Sequence, residues 1–271
     1  MTPTQKRDYE AQGYLVLEGG LDSATLDQLQ SAFDRMAGAD RLDDLPNGDD
    51  CFIHLMLHPA FFPFVHRIMS DDVQLRTLRG GLCTPGAPGL DWHRKVASLL
   101  GVAHEASTLC IQLQIHLDKT PENGACTTVV PGSHRFKADL SLPELDTVKA
   151  MPHAQFLDTK AGTIVLLHGN LWQARTGNGS ETVQRCIQFD FVHCWMRHAL
   201  PELSPEALGV ISASHNLSQL FGLGEQQSVV GYWERGIEGY PASTGLPERR
   251  YAELTHVGAD GSESILAPGG D

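Results

Sequence analysis

Leu109-Cys110-Ile111-Gln112-Leu113-Gln114-Ile115-His116-Leu117-Asp118 carries the pattern that decides the fold class of this chain. Its odd positions are all leucine or isoleucine, and its even positions are Cys, Gln, Gln, His and Asp. A strict period of two describes a strand with one face on an apolar core and the other on something polar. An outer surface would satisfy that second face, and so would the lining of a barrel interior. Downstream, Thr163 to His168 and Gln184 to Val192 read as further strands, the latter with Ile187, Phe189 and Phe191 alternating. From Leu75 onward, short strands are broken by Gly and Pro. The front of the chain is different. Thr4 to Gln12 predicts a short helix stopped by Gly13, and Tyr14 to Glu18 a strand. Asp22-Ser23 then cap a helix with Leu26, Leu29, Phe33 and Met36 on one face, and Pro59 to Met69 predicts another. Helices followed by many strands imply an α+β protein built on a β-sandwich or barrel.

The 271 residues are 41% hydrophobic and 20% charged, enough for a large core and too apolar for general disorder. Residues 1–256 read as one domain, and 257–271 as a flexible tail. A net charge of −13 without a basic cluster argues against nucleic acid and anionic membrane as partners. No apolar run approaches the ~20 residues of a membrane span, and Met1 to Arg7 lacks a signal-peptide core. A cytoplasmic protein acting on a small molecule is therefore expected. Six cysteines without a C-x-x-C pair read as free thiols packed as small hydrophobes.

Three segments carry a family resemblance. They are Gly89-Leu90-Asp91-Trp92-His93-Arg94-Lys95, then Pro121-Glu122-Asn123-Gly124 running to Pro131-Gly132-Ser133-His134, and Ala161-Gly162-Thr163 running to His168-Gly169-Asn170-Leu171-Trp172-Gln173. With Asn178-Gly179-Ser180, Gly13-Tyr14-Leu15-Val16 and Trp195-Met196-Arg197, they make the chain similar to the phytanoyl-CoA dioxygenase family of iron(II)/2-oxoglutarate oxygenases over most of residues 8–240. The resemblance implies a double-stranded β-helix, the jelly-roll or cupin-like barrel, flanked by N-terminal helices.

The resemblance also implies a two-His-one-carboxylate iron site, written W-H-x-D for the first two ligands. Here Lys95 stands at the carboxylate position and Gln173 at the second His, so His93 is the only family ligand retained. A Lys ammonium ~4 Å from a divalent ion repels it by roughly 8 kcal/mol at an effective dielectric near 20. Neutralising that amine from ~10.4 to pH 7 instead costs about 4.6 kcal/mol. Neither Fe(II) nor 2-oxoglutarate is expected as a cofactor. The family's 2-oxoglutarate arginine, about a dozen residues after the second His, would correspond to Arg185, while Arg175 holds the place of an assisting hydroxyl residue. A halogenase, which replaces the carboxylate by Ala or Gly, is disfavoured by the bulk of Lys95. An improvised metal site could draw on Asp91, His93 and His168, although a strand-end hydrogen-bonding role suits His168 better. His134 is expected to tie a loop; His54, His58 and His66 to be structural or exposed; His104 falls in a loop.

The candidate catalytic set is His93, Lys95, Gln173, Arg175 and His116, with Asp91, Gln112, Gln114, Arg185, His168 and Trp172 as substrate-binding candidates. A buried Lys beside Arg could act as base or nucleophile. The expected function is a metal-independent, redox-neutral enzyme of isomerase, cyclase, lyase or hydratase type, in natural-product biosynthesis by resemblance. Two alternatives stay open: a working iron(II)/2-oxoglutarate hydroxylase, and a non-catalytic pseudo-oxygenase that binds a ligand or partners an active paralogue; a homodimer is a further possible assembly.

Overall fold

The computed structural model describes residues 2–69, 73–96, 108–137, 140–196 and 199–223, together with the backbone of 255–257 and 263–265. Thr2 caps α1 (Pro3–Gln12) through a reciprocal box with Gln5, and Gly13 ends it at φ 81°. A Cβ at Gly13 would run into the His134 ring and Leu171, so the turn needs glycine twice over. There follow β1 (Tyr14–Leu17), α2 (Ser23–Gly38, capped by Asp22), α3 (Asp50–Leu55) and α4 (Phe62–Met69). The second expected helix therefore begins three residues late, because Pro59-Ala60-Phe61 form a turn, and α3 was not foreseen.

Among the described residues of the first unit, nine strands form two sheets. They are β1, β2 (Val73–Cys83), β3 (Leu90–His93), β4 (Cys110–His116), β5 (Thr127–Val129), β6 (Gln155–Leu157), β7 (Thr163–His168), β8 (Gln173–Arg175) and β9 (Gln184–His193). The larger sheet has the order β1-β7-β4-β9-β2 and the smaller β3-β8-β5-β6, with every pairing antiparallel. This is the double-stranded β-helix expected from the resemblance. Two short helices, α5 (Pro205–Ser212) and α6 (His215–Leu220), follow. By its contacts the chain divides into Met1–Glu234 and Arg235–Asp271. In the latter, β10 (Thr255–Val257) pairs antiparallel with β11 (Glu263–Ile265). The remainder of the expected tail, together with His104 and Arg197, lies outside the described residues.

The period of two resolves into faces. Ile111, Leu113 and Ile115 of β4 sit beside Phe191, Phe189 and Ile187 of β9, all fully buried beneath the helices. Phe61 and Phe62 pack at a tilt against Phe189 and Phe191, and a side chain on Gly80 of β2 would strike Phe33 of α2. The odd positions thus meet the helical layer outside the barrel, and Gln112, Gln114 and His116 face its interior. That interior is divided. Around β1, β5, β6 and β7 it is filled by Val129, Leu157, Val165, Leu167 and Leu171, with Tyr14 and Val16 against them. Around β3, β4, β8 and β9 it is polar. Among the described residues no helix is long and apolar enough to cross a membrane, and all six cysteines are free, Cys194 being exposed and so not packed as expected.

On the outside, His168, His134 and Tyr9 join β7, the Pro131–His134 turn and α1, with the two imidazoles 4.9 Å apart. The Asn170 N–H donates to His168 Nδ1, which leaves Nε2–H for Thr108 Oγ1. Burial, and then the neighbouring His134, hold His168 neutral down to about 3, and burial holds His116 neutral to about 4. The unfolded chain takes up protons on these rings below the ordinary 6.5, so folding stability is full above that value and falls as the pH drops. We expect a loss of about 1.4 kcal/mol per such histidine between pH 7.5 and 5.5. Urea unfolding at the two pH values checks this, with a smaller difference expected in His168→Gln.

Candidate active site

Alternation within Trp92-His93-Arg94-Lys95 separates two pairs of side chains. Arg94 turns outward, donates to the carbonyls of Lys137 and Leu140, and covers the Trp172 ring at 5.5 Å. Trp172 is buried with Val130 and Met151, its backbone N–H donating to Ser133 Oγ. It packs under the Pro-Gly-Ser-His turn, while Gln173 takes the inward-facing position. His93 lies in register with Gln173 across β3 and β8. Lys95 reaches across the barrel to Asp190 of β9, Nζ to Oδ2 at 2.8 Å.

Asp190 is the residue the sequence reasoning missed. Its side chain is 3% exposed and that of Lys95 12%, so the pair is nearly dry. Thr77 Oγ1 on β2 donates to the same Oδ2 at 2.7 Å, and Gln112 of β4 lies in register beside Asp190. The even positions of β9 (Gln184, Cys186, Gln188, Asp190) carry the signal, alternating with the apolar Ile187, Phe189 and Phe191. The expectation of a free Lys95 base or nucleophile is corrected here: its amine is committed to a carboxylate.

His93 Nδ1 is 2.9 Å from the Asp91 carbonyl. A carbonyl only accepts, so Nδ1 carries the hydrogen and Nε2 of the neutral ring keeps a lone pair. Burial lowers the imidazole below its ordinary value; the Asp91 bond opposes this and the Lys95 charge adds to it. Asp91 contributes that carbonyl, and the residue is itself exposed. A register shift between Leu90 and His93 breaks the simple alternation that would have put the Asp91 carboxylate beside His93.

Arg175, one inward position beyond Gln173 and in register with Thr127, donates from Nη2 to the Pro88 carbonyl at 3.3 Å. Gln114 accepts from Thr127 Oγ1 at 2.8 Å, a bond between the two sheets. His116 is inward-facing but four residues along β4 from Gln112, about 13 Å at ~3.3 Å per residue, and does not join His93. His168 faces the outer cluster with Tyr9 and His134, so the Asp91, His93 and His168 grouping is not assembled. Among the described residues no three His, Cys, Asp or Glu side chains are placed to hold a metal ion. Arg185 belongs to the odd face. It donates from Nε and Nη2 to Asp118 at 3.0 and 2.6 Å and from Nη1 to Asp34 of α2 at 2.8 Å, outside the barrel. The expected carboxylate clamp is therefore a tie between sheet and helix. His134 does tie its loop, through Nε2 to the Glu10 carbonyl.

The chain matches the model of the phytanoyl-CoA dioxygenase (PhyH) family over residues 9–186. It is 22% identical to dioxygenase af480 of Aspergillus fumigatus over 147 residues, which are 54% of this chain and 46% of that protein. The chain thus spans about half the length of that curated relative. HygX from Streptomyces hygroscopicus, solved with nickel and 2-oxoglutarate, superposes with TM-score 0.64 at 16% identity, covering 73% of this chain and 89% of that one. The α-ketoglutarate-dependent carbocyclase SnoK from nogalamycin biosynthesis gives 0.60 at 16%, covering 72% and 85%. The epimerase SnoN from the same biosynthesis gives 0.61 at 16%, covering 86% and 94%. At such identities the likeness shows a shared fold.

Removing one partner of the nearly buried pair leaves an uncompensated charge. Asp190→Asn should cost about 3 kcal/mol in urea unfolding, whereas the double variant Lys95→Met/Asp190→Leu should lie within about 1.5 kcal/mol of the parent.

Proposed function

The chain belongs to the phytanoyl-CoA dioxygenase (PhyH) family, and from that premise we propose that it is a metal-independent, redox-neutral enzyme of isomerase, cyclase or lyase type acting on a small organic molecule. The observation that carries the reading is the Lys95–Asp190 ion pair. It puts an ammonium, already matched to a carboxylate, where the family motif calls for an iron ligand. The donor set does not suit iron(II) with 2-oxoglutarate. One imidazole remains, the amide of Gln173 is a weak neutral donor, and the nearest family match to the co-substrate arginine is engaged outside the barrel.

What the residues do suit is proton transfer beside a carbonyl. His93 Nε2 takes a proton from the carbon next to the carbonyl, and the electron pair moves onto the carbonyl oxygen. The Lys95 ammonium and the Gln173 amide N–H face the resulting oxyanion. His93 then returns the proton to a different face or carbon, giving an isomer; or the oxyanion re-forms the carbonyl as the bond to a leaving group on the next carbon breaks, His93 passing its proton to that group, giving an elimination product. Arg175, one position deeper, holds a polar group of the substrate away from the reacting carbon. Natural-product biosynthesis is the setting suggested by SnoK and SnoN, a carbocyclase and an epimerase on the same fold.

Chelator-treated protein incubated with a small-molecule extract of its host, followed by mass spectrometry, tests the reading. We expect products isomeric with their precursors or lighter by a neutral leaving group, undiminished by chelation. Turnover that requires added iron and 2-oxoglutarate and releases succinate would establish the hydroxylase instead. No turnover alone, with stable binding to an active paralogue, would establish the pseudo-oxygenase. His93→Ala should lower kcat/KM by about 10²–10⁴ and Gln173→Leu by about 10². The neutral imidazole is the active form, so kcat/KM should rise with pH through a midpoint below 6.5. Lys95→Met should move that midpoint upward, since the cation beside His93 lowers it.

A further inference from the structure

Two acceptors on the polar side of the barrel interior have no protein donor. Gln112 and Asp190 are 5% and 2% exposed, and lie directly opposite each other on β4 and β9 with their side chains on the inner face. In-register neighbours of this kind hold their Cβ atoms about 5 Å apart. Asp190 Oδ2 is shared by Lys95 and Thr77, whereas Asp190 Oδ1 and Gln112 Oε1 are buried and unpartnered. On the smaller sheet, the equally buried Gln173 has an unpartnered donor, Nε2. Buried polar groups left unmade are costly, so such a set marks where a ligand supplies the missing partners.

Charge narrows the chemistry of that ligand. An anionic group would meet the Asp190 carboxylate, and a cationic one the Lys95 ammonium. Two adjacent acceptors need two neutral donors from neighbouring atoms, and the Gln173 amide needs one acceptor. We infer that this inner face binds a vicinal diol, the hydroxylated part of a neutral polyol- or sugar-like substrate, with one hydroxyl on Asp190 Oδ1 and its neighbour on Gln112 Oε1. A carbonyl or ether oxygen of the same molecule takes the Gln173 N–H. The inference rests on the proposed reading of the polar side of the interior as the substrate site, and not on which proton is moved there.

Ligand-observed saturation-transfer NMR with the full-length protein tests it, using cis-1,2-cyclohexanediol and cyclohexanol as probes. The diol is expected to saturate the protein in the millimolar range and to bind at least tenfold more tightly than the mono-alcohol. Gln112→Met, which removes one acceptor and leaves the Lys95–Asp190–Thr77 group in place, should erase most of that preference. Equal binding of the two alcohols by the unaltered protein, no saturation by the diol, or an unchanged preference in a folded Gln112→Met protein would each overturn the diol site. The comparison of probes on the unaltered protein stands even if the variant does not fold. No turnover is measured, so failure here leaves the proton-transfer reading intact, and loss of chelator-resistant turnover leaves the diol site intact.

Discussion

The larger sheet must serve two unlike environments, and the rest of the molecule is arranged around that requirement. Its outer face carries Ile111, Leu113, Ile115, Ile187, Phe189 and Phe191 under the helices. Its inner face carries Gln112, Gln114, His116, Gln188 and Asp190. Because side chains alternate strictly, a slip of one residue in β4 or β9 would exchange the two sets and bury glutamines under Phe61 and Phe62. Register is therefore fixed by free energy on both faces. The hydrophobic weight of the domain rests largely outside the barrel, which frees half of the interior for polar groups.

Polar groups inside a barrel must be paired across it. Thr127 to Gln114 and Lys95 to Asp190 each join one sheet to the other, and Thr77 adds a second donor to Asp190. These bonds hold the polar half closed without apolar packing, while Val129, Val165 and Leu167 close the other half by contact. Pairing of that kind contributes little net stability beyond an apolar substitute. Its value lies in fixing where charge stands: one ammonium, beside one neutral imidazole whose hydrogen is anchored on a backbone carbonyl.

Much of this was legible in the residues. The period of two in Leu109 to Asp118 identified β4 and left the polar face with two explanations; the helices under Phe189 and Phe191 select the barrel interior. The spacing of Leu29, Phe33 and Met36 placed the buried face of α2, Leu26 remaining only half-buried. The motif around His93 brought His93, Lys95 and Gln173 to one place. Asp190 stayed hidden because its partner lies 95 residues away and a lone carboxylate in an aromatic strand carries no local signature. Arg185 was misplaced because counting along the chain from Gln173 crosses a loop, where a single residue of difference reverses the face. His168 keeps the hydrogen-bonded strand-end role its place in β7 suggested, and Trp172, named as a substrate contact, packs with Val130 and Met151.

The tie from Arg185 to Asp118 and Asp34 fastens the outer face of β9 to α2. A guanidinium on the helix side cannot swing through the sheet, and moving it would break an anchor between α2 and β9. A change of rotamer at Arg185 alone would therefore place no cation inside the barrel. An inward cation on β9 would have to come from an even position of that strand, with Arg185 left in place as the anchor.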